Sequence, residues 1–211
     1  IIDAIQEACP DVIIQPSTGG ATGMTADERL QPTELNPEMA SLDCGTMNFG
    51  GDEIFVNTEN MIIEFATRMN ERGIKPELEC FDKSHIDMAL RLVRKGYIKP
   101  PLHFNFVLGV NGGATGTPRD LLFLKESIPA DATFTVTGIG RCQLEMNVMG
   151  MLLGGHVRVG FEDNLKYNRE RQAISNAEFV ERIVRIAKEL NLEIATPAEA
   201  RQILGMPERA N

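Results

Sequence analysis

Six times between Val12 and Leu190, a short apolar run that reads as a strand is followed by a longer run that reads as a helix. A chain that alternates in this way has one economical arrangement: a parallel sheet with helices packed against it. The pattern predicts strands over Val12–Ser17, Met39–Cys44, Lys75–Phe81, Leu102–Leu108, Thr133–Thr137 and His156–Phe161. The helix boundaries are signed. Thr25 and Glu28 form a capping box, Pro118 takes a first-turn position, Gly73 and Gly96 end helices, and Ser175 and Thr196 cap the last two. Helices are predicted over Glu59–Glu71, Ser84–Lys95, Gln143–Leu153 and from Ser175 to about Leu190. Ile1, Ile2, Ile5 and Ala8 mark one face of an opening helix.

The strands are two-faced. One side carries Gln15 and Ser17, Ser41 and Asp43, Glu77 and Glu79, His103 and Asn105, three threonines of Thr133–Thr137, then His156, Arg158 and Glu162. A doubly wound open sheet would be apolar on both faces of its strands. A polar inner face under an outer ring of helices fits a (β/α)8 TIM barrel better. Six units fall two short of eight. The chain therefore reads as a single domain over residues 1–211, holding the third to eighth strands, with the first two βα units expected upstream of Ile1.

Net charge of −9 argues against nucleic acid or an anionic membrane as a main partner, and 43% hydrophobic residues are enough for one core. No run of eighteen apolar residues appears. Cys9, Cys44, Cys80 and Cys142 are scattered singly, the pattern of reduced thiols in a cytoplasmic protein.

In a barrel of this kind the chemistry sits at the C-terminal ends of the strands. Those ends offer Ser17 with Gly19 and Gly20, Thr46 with Asn48, Glu79 with Asp82, and Arg158 with Glu162 and Asp163. Burying Arg158 costs several kcal/mol without a carboxylate partner, and Glu162 and Asp163 are in reach. The string Gly-Gly-Ala-Thr-Gly occurs twice, at Gly19–Gly23 and Gly112–Gly116. Its backbone N–H groups suit a phosphate, and its glycines suit a tight turn equally well. The histidines make a poor metal set: His103 and His156 lie early in their strands, and His85 is expected on a solvent-facing side of its helix. Met146, Met149 and Met151 read as helix packing. Such strand ends fit a metal-free lyase for a phosphorylated substrate and a non-catalytic small-molecule binder.

Four stretches add a third reading, and the leading one. Ile14–Gly20, Ser41–Phe49, Pro76–Phe81 and above all Gly154–Asn164 resemble the β-keto acid cleavage enzymes, in order and along the whole chain. The resemblance implies a zinc-dependent (β/α)8 enzyme that converts a β-keto acid and acetyl-CoA to acetoacetate and a new acyl-CoA. It implies Glu162 as one zinc ligand, with a His-x-His pair upstream of Ile1 as the others. Arg158 and Asp163 match the family's arginine–aspartate dyad, and Glu79 matches a carboxylate that supports the arginine. Ser17 matches a serine of acyl transfer, and Gly20, Thr46 and Asn48 match substrate contacts. Guanidinium stays protonated in proteins, so Asp163 is the expected proton acceptor, with Arg158 orienting it. The family likeness also implies a homo-oligomer, a tetramer.

Overall fold

The structure is a computed structural model and describes residues 1–207. Five strands form one parallel sheet: β1 (Met39–Asp43), β4 (Lys75–Cys80), β5 (His103–Leu108), β6 (Thr133–Gly138) and β7 (His156–Arg158), in the spatial order β1-β4-β5-β6-β7. Two further strands, β2 (Met47–Phe49) and β3 (Glu53–Phe55), make a small antiparallel hairpin between β1 and the next helix. The helices are α1 (Ile2–Ala8), α2 (Ala26–Leu30), α3 (Glu59–Glu71), α4 (Lys83–Arg94), α5 (Pro118–Glu126), α6 (Gln143–Leu152), α7 (Asn176–Glu189) and α8 (Pro197–Ile203).

The predicted caps are in place. Thr25 and Thr196 each close a complete capping box, and Thr117 and Ser175 each accept from a backbone N–H in the first turn of the helix they precede. Each such cap is worth about 1 kcal/mol to its helix. The expected first strand is the exception. Residues 13–17 run beside β1 and accept from it at only two points, Met39 N–H to Ile14 O (3.4 Å) and Ser41 N–H to Pro16 O (3.2 Å). Pro16 has no N–H to return, so the ladder stays incomplete. The last strand is also shorter than expected. It ends at Arg158, and at the sheet edge its residues are exposed or half-buried. The opening helix forms, but it buries no residue.

The alternation of side chains divides the sheet. Ala40, Leu42, Leu78, Cys80, Phe104, Phe106, Phe134 and Val136 point one way into the main core. There they meet Ile62, Phe65 and Met69 of α3, Ile86, Ala89 and Leu92 of α4, Leu121 and Leu124 of α5, and Met146 of α6. Close packing explains the glycine of Gly155, where a Cβ would stand 2.3 Å from the Phe134 ring. The opposite side of the sheet is polar and still buried: Ser41, Asp43, Glu77, His103, Asn105, Thr135 and Thr137 are each 8% exposed or less. The parallel register sets Asp43 beside Glu79, Glu79 beside Asn105, and Thr137 beside Arg158. This register brings residues distant in sequence into one row. At the start of the sheet α8 is tied down by Arg201, whose guanidinium meets Glu38 at 2.6 and 2.7 Å and Asp11 O at 3.0 Å.

Candidate active site

Arg158 leaves β7 at its C-terminal end and is met by Asp163 from the turn that follows. Its Nε donates to Asp163 Oδ2 at 3.0 Å and its Nη2 to Asp163 Oδ1 at 2.6 Å, a two-pronged pairing. The turn is held by Asp163 O, which accepts from Gly140 N at 2.7 Å, and by Asn147, which donates to Arg158 O at 3.1 Å. The remaining Nη1 points to Glu79 Oε2 at 3.7 Å. Glu162 approaches at 4.0 Å with its side chain 83% exposed, so it is free to take another partner. Burial opposes the charge of Arg158, but the bonds to Asp163 and the fields of Glu79, Asp163 and Glu162 outweigh it and raise its pKa.

Glu79 stands deeper, beside Asn105, whose amide donates to it at 3.3 Å. Burial and the neighbouring charge of Asp43 push Glu79 well above the usual carboxylate range, against the pull of Arg158. Asp43 itself is pushed up to about 6, by burial first, while Arg29 and Arg158 work the other way. Two adjacent carboxylates with raised pKa values at the mouth of a parallel sheet hold protons more readily than free ones, as groups at a reactive site do.

Asp43 reaches Ser17 through Gly19. A Cβ at Gly19 would lie 3.2 Å from Ser17 Oγ, 3.5 Å from Asp43 Oδ2 and 3.7 Å from the Phe55 ring, so the bare glycine leaves serine and carboxylate facing one small space. The turn is fixed by Gly19 N–H donating to Ser17 Oγ at 3.0 Å and by Thr18, which exchanges bonds with Ser41 at 3.0 and 2.7 Å. Gly20, at φ +64°, leaves no room for a side chain against Arg29 Cγ, 2.8 Å from where its Cβ would be.

The structure thus brings Ser17, Glu79, Arg158, Glu162 and Asp163 to one end of the sheet. Thr46 and Asn48 stand apart on the hairpin side. Thr46 Oγ1 accepts from Asn57 N at 2.8 Å, and exposed Asn48 has its carbonyl against Gly112, where a Cβ would come within 2.0 Å. Two residues go unremarked among the strand ends read from the sequence. Asp43 appears there only as one of the polar residues, and Arg29 not at all. The available signal is that a carboxylate at the last strand position, Asp43, needs a cation.

His85 corrects the solvent-facing expectation. It is 4% exposed, accepts from Phe81 N–H at 3.3 Å, and occupies the space that a Cβ on Gly45 would fill. The second glycine string is likewise explained by packing. A Cβ at Gly113 would meet Phe81 O at 2.8 Å, and one at Gly116 would meet Cys142 Sγ at 2.3 Å.

Among the described residues no three His, Cys, Asp or Glu side chains gather into a metal site. Glu162 offers one open carboxylate. His103 belongs to the other end of the strands, where its ring nitrogens meet Thr133, Thr135 and Glu77. These residues alone do not fit a zinc centre.

The arrangement defines a class: an α/β protein with a charged, proton-holding site at the C-terminal edge of a parallel sheet. Comparison with known proteins narrows it. The family model described as beta-keto acid cleavage enzyme matches residues 1–206, and the chain belongs to that family. It is 64% identical over 205 residues to the 3-keto-5-aminohexanoate cleavage enzyme of Acetoanaerobium sticklandii and 62% identical to that of Fusobacterium nucleatum, covering 97% of this chain and 75% of each relative. It is 36% identical over 210 residues to the 3-oxoadipate:acetyl-CoA acetyltransferase of Cupriavidus necator, covering 98% of this chain and 73% of that one. The apo structure of ObcA shares the fold, with a TM-score of 0.83 at 20% identity. That match covers 98% of this chain and 53% of ObcA, so the chain spans about half the length of that structure.

Proposed function

We propose that the protein exchanges acyl groups between a β-keto acid and acetyl-CoA, giving acetoacetate and a new acyl-CoA. The observation that carries this reading is the Asp163–Arg158–Glu79 array at the sheet's mouth, in a chain of this family, with Ser17 and Asp43 across the same opening. The relatives' names support 3-keto-5-aminohexanoate as the β-keto acid.

The chain's own residues divide the work as follows. Arg158, held in place by Asp163, turns its remaining donor toward the opening and stabilises negative charge on the substrate's carboxylate and enolate. Asp163 accepts the α-proton, which leaves the bonding pair on the α-carbon. That carbon attacks the acetyl carbonyl, and the thiolate of CoA departs. The Ser17 hydroxyl, facing the same space, donates a hydrogen bond to the departing or returning thiolate. Attack of the thiolate on the original keto carbon then breaks the older carbon–carbon bond. The electron pair of that bond passes to the acetoacetate enolate, which takes back the proton. Glu79, whose pKa burial and Asp43 raise, takes up a proton more readily than a free carboxylate and faces Arg158.

The same reading includes zinc, with Glu162 as one ligand, a closed (β/α)8 barrel and a homo-oligomer, a tetramer by family likeness. Glu162 would offer such an ion one carboxylate, and the ion would supply Lewis-acid chemistry. Gly20 is proposed to admit substrate close to the backbone, and Thr46 and Asn48 to contact it from the hairpin side. The phosphate-binding lyase loses its main support, because close packing accounts for the second glycine string.

Acetyl-CoA labelled with 13C in its acetyl group tests the reaction. With 3-keto-5-aminohexanoate, the label should appear in the acetyl half of acetoacetate, together with a CoA ester of the remaining amino fragment. Hydrolysis of the β-keto acid with no label transferred would reject acyl exchange.

A further inference from the structure

Arg29 lies outside the Arg158 array, on α2, and is 4% exposed. Each of its nitrogens donates: Nε to Thr18 O (2.8 Å), Nη1 to Val56 O (3.1 Å), and Nη2 to Asn57 Oδ1 (2.6 Å) and Asp43 Oδ2 (3.5 Å). Its guanidinium carbon lies 5.1 Å from the centre of the Phe55 ring and 4.9 Å from that of Phe65. A buried cation needs a matching anion, and among the described residues the carboxylate paired with Arg29 is Asp43. Arg29 joins three parts of the site that are remote in sequence: the Ser17–Gly19 turn, the strand end of β1, and the chain leaving the β2–β3 hairpin.

We propose that Arg29 is a positioning residue, which fixes the Asp43 carboxylate and the Ser17 turn as one unit and anchors both to the hairpin. The inference rests on the acyl-exchange reading. It adds that the hydroxyl and the carboxylate keep their mutual placement because one guanidinium holds the Thr18 carbonyl and the side chain of Asp43 together. The groups that face Asp43 are Arg29 from α2, Glu77 and Glu79 from β4, Arg158 from β7, and the Ser17 hydroxyl across Gly19. Arg29 favours the ionised form, so its removal should raise the Asp43 pKa further above 6 and leave less carboxylate at neutral pH.

The test uses the active holoenzyme with 13C-labelled aspartate carboxyls, a label that leaves Glu77 and Glu79 silent, and assigns Asp43 by the signal lost in Asp43→Asn. Arg29→Gln should move the Asp43 midpoint upward by about one pH unit. Arg29→Lys keeps a charge but loses the fork, so it should hold the midpoint near its original place and lower kcat about tenfold, more than it changes KM. An Asp43 midpoint that stays put in folded Arg29→Gln would overturn the proposal. Should Arg29→Gln not fold, Arg29→Lys decides alone, since unchanged kcat without the fork removes the positioning role. Failure of the acyl-exchange reading would look different: no labelled acetoacetate from the unsubstituted protein.

Discussion

The two ends of the sheet's polar face are built from similar residues and behave differently. At the N-terminal end, His103 Nδ1 lies 2.8 Å from Thr133 Oγ1, and His103 Nε2 lies 3.1 Å from Thr135 Oγ1 and 3.3 Å from Glu77. Glu77 also accepts from Gln15 at 2.5 Å and Asn105 at 3.4 Å. A cavity of about 240 Å3 beside it is lined by His103 and Glu77 together with Ala195, Ala200, Ile203 and Leu204. At the C-terminal end, Arg158 keeps a donor only 3.7 Å from Glu79, Glu162 is open, and Asp43 and Glu79 both hold protons unusually well. Satisfied polar groups stabilise; groups left poised can react. Asn105 bridges the two, with one amide to Glu77 and Glu79 and a carbonyl accepting from Thr137 at 2.8 Å.

The comparison can be broken in several places. Arg158→Gln should have the largest effect, because it leaves Asp163 and Glu79 without their cation. Steady-state kinetics should show kcat/KM down by a hundredfold or more, with a loss of stability besides. A milder loss would move the chemistry elsewhere.

Asp43 predicts a pH effect on stability. Its pKa rises from an ordinary 3.8 to about 6 on folding, so the folded state binds more protons between those values. Stability contributed by that proton is full below the unfolded pKa and is lost as pH rises through the folded one, by about 2–3 kcal/mol. Denaturant titrations at pH 4 to 7 should show the decline, and Asp43→Asn should flatten it.

His103→Leu tests the opposite end. It leaves Thr133, Thr135 and Glu77 short of a partner and should cost about 2 kcal/mol in a denaturant midpoint. Turnover of the folded fraction should barely change. A large drop in kcat with normal stability would erase the distinction between the two ends. Smaller still, Ser17→Ala should lower acyl transfer about tenfold while calorimetry finds β-keto acid affinity nearly intact, as expected of a group that acts mainly in the transition state.

Local signals were the legible part of this fold. Capping residues, glycine stops and two-faced strands place nearly every helix and strand, because their causes lie within a few residues. The Arg158–Asp163 pair was legible for the same reason, being five residues apart. What depends on register was not. Arg29 and Asp43 meet only once α2 is laid over the end of β1, and Asp43 meets Glu79 only because two parallel strands align. His85 looked solvent-facing on its helix until Gly45 opened space for its ring. The β2–β3 hairpin was hidden because its strands are three residues each and mostly exposed, with Gly50 and Gly51 between them.

The most direct measurement is exchange of the β-keto acid's α-protons with deuterium, without acetyl-CoA, followed by NMR in the unsubstituted holoenzyme and in Asp163→Asn. The substitution keeps the shape of the group paired with Arg158 and removes its capacity to accept a proton. Exchange should proceed in the former and fall by about a hundredfold or more in the latter, with substrate still bound. Exchange that continues at its full rate in Asp163→Asn would contradict the assignment of the proton acceptor on which the account of the site is built.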